Sequence, residues 1–213
     1  ATMKTQVQNR SRGFTLIEMV GVLAIIAVLS ALLVPRIFSA INESRLNGAI
    51  TSINSAKTAA VAYYGKYGKF GGYNGADLTT TNADWDLVLM QEGLLEKPFE
   101  TKLSNLSSTN AHQIRLVAGL AAATAATDSN AAYNLDNNST SPNPANDASG
   151  KWVIQAYIQG VNIDDAIELN NRIDGSLDTV TKGTTTANTI GRVKYSAPAT
   201  DNTVNVLVYL AHK

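Results

Sequence analysis

From Phe14 to Val34 the chain runs through 21 residues with a single ionisable side chain, Glu18. Met19–Val34 holds nothing more polar than Gly21 and Ser30. At 1.5 Å per residue such a helix spans roughly 32 Å, close to the ~30 Å hydrocarbon thickness of a bilayer. The pattern therefore predicts a membrane-spanning helix. Past Val34 it changes period without stopping. Ile37, Ile41, Leu46, Ile50, Ile53, Ala56, Ala60 and Tyr64 recur at steps of three to five, and Asn42, Glu43, Arg45, Asn47 and Lys57 fall mostly off that stripe. This is an amphipathic helix. The two halves read as one helix from about Phe14 to Tyr64, roughly 76 Å long. Pro35 interrupts it by removing a backbone donor and crowding the preceding turn, so a kink or a locally unwound turn is expected there.

Beyond Tyr64 the alternation shortens. Tyr63, Tyr64, Tyr67, Phe70 and Tyr73 interleave with Gly65, Gly68, Gly71, Gly72 and Gly75. Such a cluster could stack single-stranded bases or form a chain of rings for electron transport. The simpler expectation is a closure of the helix end over a sheet edge, with glycines turning the backbone. Lys66 and Lys69 are too few for an electrostatic footprint. Residues 82–92 read as a short helix with Asn82 as N-cap, Asp84 and Asp86 at its positive end and Gly93 as its stop. His112–Ala118, Lys151–Gln159 and Val204–Ala211 read as strands, with a shorter one in Gly191–Ser196. Asp164–Ile173 reads as a third helix, stopped by Gly175. Residues 121–150 and 176–190 are rich in Ala, Asn, Ser and Thr and read as surface loops. The fold class is α+β: a long helix packed on a small, mostly antiparallel sheet of three or four strands.

Charge narrows the function. Lys and Arg total 17 and so do Asp and Glu, a balance that argues against a sequence-independent nucleic-acid binder. Lys4, Arg10 and Arg12 precede the apolar run with no acid among residues 1–13, which keeps that end cytoplasmic. A cleaved secretory signal is the competing reading. It fits poorly: no small-x-small site closes the run, the helical pattern continues past it, and Glu18 sits inside it, where an ionisable residue points to function. Cysteine is absent, which excludes disulfides, thiolate metal sites and cysteine nucleophiles but not export. His112 and His212 are the only histidines. No nucleophile elbow, phosphate-binding loop or zinc spacing is present, so neither a catalytic role nor a cofactor is expected. Asp164, Asp165, Glu168, Asp174 and Asp178 form the densest acidic cluster. They are a Ca²⁺ candidate by ligand type, although solvated carboxylates explain them better. Asn105, Asn137 and Asn138 match the short N-glycosylation pattern. The Ser/Thr-rich loop is a better candidate carrier of O-linked glycans.

The segment Arg12-Gly13-Phe14-Thr15-Leu16-Ile17-Glu18 resembles the processing site of type IV pilins and pseudopilins. The resemblance covers residues 3–64: basic leader, Gly13, Phe14, Thr15, Glu18, apolar helix, Pro35 and amphipathic continuation. It implies a type IV pilin fold and three segments: a leader at 1–13, an apolar membrane and filament-core helix at 14–40, and a globular head at 41–213. Within the head, 41–64 is the amphipathic half of the helix, 65–110 a connecting region, and 111–213 sheet and loops. A prepilin peptidase would cut between Gly13 and Phe14 and methylate the new amino group of Phe14. With Met3 as the start, the leader has eleven residues. Phe14, Thr15, Glu18 and Pro35 become the assembly residues, with Glu18 pairing to the amino terminus of Phe14 in a neighbouring copy.

Pro35 resembles the proline around which pilin helices melt in fibres, but no glycine lies between Val22 and Val34, where pilins commonly have one. The implied partners are further copies in a helical homopolymer, the peptidase, an inner-membrane assembly platform and its cytoplasmic motor, and the membrane before assembly. The implied location is the bacterial inner membrane, then an extracellular filament. A pseudopilin of type II secretion shares every N-terminal feature, and its major form binds calcium in a C-terminal loop. A minor pilin acting as a DNA-binding or adhesive module is a further alternative, although no basic stripe is visible. Cleavage would remove Lys4, Arg10 and Arg12, so the 17 basic residues fall to 14 against 17 acidic ones. Pilins with cysteines staple their C-terminal region; this chain must rely on packing.

Overall fold

The computed structural model describes residues 13–78, 82–106, 108–118, 132–136, 147–148, 151–175 and 180–213. Elements follow in the order α1 (Leu16–Tyr67), α2 (Trp85–Gln91), β1 (His112–Ala118), β2 (Trp152–Asn162), α3 (Ile163–Ile173), β3 (Val193–Tyr195) and β4 (Thr203–His212). Short 3-10 turns lie at Tyr73–Gly75 and Thr109–Ala111. The chain divides into two compact units between Glu43 and Ser44.

In the first unit every described residue is exposed. Phe14 is 82% exposed and Ile25 63%. The helix passes through Pro35 in helical geometry, so the locally unwound turn expected there is not found. Proline deletes only its own hydrogen bond, and the turns on either side keep theirs. Ser39 Oγ donates to the Pro35 carbonyl at 3.2 Å.

The second unit is a four-stranded antiparallel sheet in the order β1-β2-β4-β3. Helical spacing puts Leu46, Ala49, Ile53, Ala56, Ala60 and Tyr63 on one face of α1, and all are buried. The stripe read from the sequence is slightly rotated: Ile50 and Tyr64 are only partly buried, and Ile37 and Ile41 lie on the exposed unit. The buried face joins Trp85 and Leu89 of α2, Ile167 and Leu169 of α3, and Ile114, Ile154, Ile158 and Val206 of the sheet in one core. Successive strand residues point to opposite faces. Val153 accordingly belongs to a smaller cluster with Tyr133 and Ala148. α3 is capped by Asn162, whose Oδ1 accepts from the Asp164 amide at 2.9 Å. Arg172 Nη1 donates to Asn47 Oδ1 at 2.8 Å, tying α3 to α1.

Two sequence expectations need correction. Asn82 is not the N-cap of α2, which begins at Trp85 after Asp84. Its backbone instead pairs with Leu116 of β1, and its side chain accepts from the Asp84 amide. β2 also runs past Gln159 to Asn162. Gly160 looks like a strand end, but it adopts φ +64° inside a bulge between Ile158 and Val161, and pairing with β4 resumes beyond it. A Cβ there would press on Leu106 Cγ at 2.7 Å.

Candidate processing and assembly segment

Gly13, Phe14 and Thr15 precede the helix and carry no regular structure. A Cβ built on Gly13 would meet nothing within 4 Å. Packing among the described residues therefore gives no reason for glycine there. Thr15 is the residue before the first helical position. Its Oγ1 accepts from the Glu18 amide at 3.3 Å. Glu18 Oε2 in turn accepts from the Thr15 amide and from Thr15 Oγ1, both at 2.8 Å. This is a reciprocal capping box, in which each residue satisfies a donor left open at the helix start. Glu18 thus has a partner within its own chain. The Thr-x-x-Glu spacing was visible in the sequence, where the carboxylate was assigned only to a neighbour's amino group.

Residues 8–34 match the family model for the prokaryotic N-terminal methylation motif. The chain carries a prepilin-type methylation motif. That motif is the hallmark of type IV prepilin signal peptides and supports a pilin- or pseudopilin-like chain, structural rather than enzymatic in kind. The match ends at residue 34, one position before Pro35. Comparison with curated proteins and with solved structures gives no match. α1, which begins inside the motif, is long and apolar enough to cross a membrane, and this fits a membrane-anchored precursor.

The other sequence candidates lie in the second unit and do not converge. Asp164 and Asp165 open α3. Glu168 pairs with Arg172 at 3.0 Å. Asp174 lies past the far end of α3, buried, where its carboxylate accepts from the Arg192 and Val193 amides at 2.9–3.0 Å. Asp178 lies outside the described residues, as do Asn137 and Asn138. Among the described residues no three acids or histidines gather as metal ligands. Asn105 is exposed, with its amide donating to the Gly160 carbonyl at 3.0 Å.

The aromatic segment packs as a closure of the helix end. Tyr63 meets Trp85 edge-on at 5.1 Å between ring centroids, and Phe70 bridges Trp85 and Tyr64. Trp85 Nε1 donates to the Gly71 carbonyl at 2.6 Å, and Tyr63 Oη donates to that of Gly72. Tyr73 stays half-exposed. The clamp on this turn is Glu92, which the sequence did not single out. Its carboxylate accepts from Lys66 Nζ at 2.7 Å, and from Tyr67 Oη and the Asn74 amide at 2.6 Å. Lys66 first, then Tyr67 and Asn74, hold the Glu92 carboxyl down at about 2.

Proposed function

We propose that the chain is a subunit of an extracellular type IV pilus-like filament. In this reading the peptidase cuts between Gly13 and Phe14, the Phe14 amino group is methylated, and the exposed apolar half of α1 becomes the filament core. The observation that carries the reading is the coincidence of the methylation motif with a helical segment that presents Leu, Ile and Val on every side. An all-round apolar helix must be covered by lipid or by other apolar helices. The assembly platform, its motor and the membrane then act as partners in turn. Glu18 rests on Thr15 in the single subunit and trades that bond for the neighbour's Phe14 amino group on assembly, which fixes axial register. Breaking such a buried pair costs about 3–5 kcal/mol.

Sheared surface filaments examined by electron microscopy, with mass spectrometry of the subunit's N-terminus, should show this chain beginning at methylated Phe14. A chain retained in the membrane while fibres consist of another protein would overturn the reading in favour of a secretion pseudopilin. Glu18→Ala should leave insertion and cleavage intact and abolish filaments. Normal filaments from that variant would remove Glu18 from assembly.

A further inference from the structure

One end of the sheet closes around a single imidazole. A bulge between Ile154 and Gln155 breaks the register of β2 against β4. Beyond it Ile154 faces Ala211, Val153 faces His212, and Trp152 exchanges both backbone hydrogen bonds with Lys213, at 2.7 and 2.9 Å. His212 is partly buried there. Its Nε2 lies 3.2 Å from Lys151 Nζ, and its Nδ1 lies 2.6 Å from Tyr209 Oη. An ammonium only donates, so Nε2 accepts; the ring proton then sits on Nδ1 and goes to Tyr209 Oη. This arrangement requires a neutral imidazole. Most of the charge around it is positive. Lys151 precedes β2, and Lys213 follows His212 with its Nζ turned to Tyr64 of α1. Arg192 acts on Tyr209. Lys194 of β3 lies 4.2 Å from the centre of the Tyr133 ring, which packs edge-on against Tyr209. Among the described residues Asp147 is the acid that opposes these cations, and its carboxylate already accepts from the Leu135 amide at 2.6 Å. Burial first, then Lys151, pulls the imidazole below its ordinary 6.5, against Asp147.

We propose that His212 is an acid-sensitive latch on the end of the sheet: a proton taken up from the medium at Nε2 expels Lys151 and lets the end of β4 leave β2. Both ring nitrogens then donate, and Nε2–H faces an ammonium that has no lone pair to offer. Two like charges so close repel, and Lys151, being exposed, swings into solvent. β1 still pairs with Trp152 and Val153, so β4 is the strand that moves. The bulge confines the change, because the ladder from Gln155 onward keeps its own register. The imidazole ordinarily protonates at 6.5 and does so lower in the folded chain. The unfolded end therefore takes up its proton first. The latch is fully closed above pH 6.5 and weakens as pH falls from there towards the folded value. The device lies wholly in the second unit and stands apart from the filament reading.

NMR titration of the imidazoles of the full chain in detergent micelles, with amide exchange followed at each pH, tests it. His212 should titrate below 6.5. Along the same curve, protection of the Trp152 and Lys213 amides should fall about tenfold, the worth of one hydrogen bond, while that of Ile158 and Val206 stays constant. Lys151→Met should raise the His212 titration towards 6.5 and flatten the loss of protection. His212→Gln should make protection independent of acidity between about pH 7 and 5. Lys151 is exposed, so its variant keeps the test valid even if His212→Gln fails to fold. His212 titrating at or above 6.5, protection constant through its titration, a Lys151→Met titration equal to the native one, or the same acid loss in His212→Gln would each overturn the proposal.

Discussion

Between Leu16 and Glu43 α1 exposes Leu, Ile and Val on every side, whereas between Ser44 and Tyr67 it buries a face built largely of alanine. The same helix thus follows two rules. In the second unit the partner surface is intramolecular, and most of the buried positions are small: Ala49, Ala56, Ala59 and Ala60 join the core beside Leu46, Ile53 and Tyr63. In the first unit the described side chains are all exposed, and they are large, which maximises the apolar area available for burial. Residue size along one helix therefore distinguishes packing completed at folding from packing deferred to another medium or another copy.

The sharpest way to break this contrast is a matched pair of truncations. Ile53→Ala should cost the second unit about 2–5 kcal/mol by leaving a cavity. Ile25→Ala should leave unfolding of that unit unchanged within about 0.5 kcal/mol. Thermal and urea unfolding of both variants in micelles reads the difference; equal destabilisation would erase the distinction. A smaller effect is confined to the second unit. The Glu92 carboxyl is held at about 2 against an ordinary 4.5. A lowered value favours the ionised folded state, so its contribution is complete above pH 4.5 and disappears as pH falls through about 2. The stability advantage of the native chain over Glu92→Gln should shrink across that window, as followed by acid unfolding. A constant difference would show that Lys66, Tyr67 and Asn74 do not stabilise the charge. The smallest effect belongs to the first unit. Thr15→Val should cost about 1 kcal/mol of local helix stability. Amide exchange of residues 16–19 should speed up about fivefold while the second unit's exchange stays the same.

The legible parts of the molecule were those set by local pattern. β1 and the C-terminal end of α3 fall where alternation and Gly175 place them, because hydrophobic period and a stop signal act within a few residues. The methylation motif was legible for the same reason, being contiguous. What stayed hidden depends on contacts remote in sequence. Lys194, in the short strand expected in Gly191–Ser196, is fully buried in β3, with Nζ donating to the Ala132 carbonyl at 2.6 Å and lying 4.2 Å from the Tyr133 ring centre. Glu92 reads as the polar tail of a short helix, and only the fold brings Lys66 and Asn74 to it. Gly160 has the same letter whether it ends a strand or bulges one.

The outer strands of the sheet carry one further consequence. Asn82 exchanges both backbone hydrogen bonds with Leu116 on β1, and Asn188 does the same with Tyr195 on β3. Each bridge is a single residue, yet it occupies the flank on which a foreign strand would have to nucleate. In a polymer such a subunit would meet its neighbours without merging their sheets. Union by side-chain packing alone can be undone one subunit at a time, whereas a shared ladder sets like amyloid. If the chain polymerises as proposed, two asparagine bridges help to keep its sheet from becoming the thing that assembles.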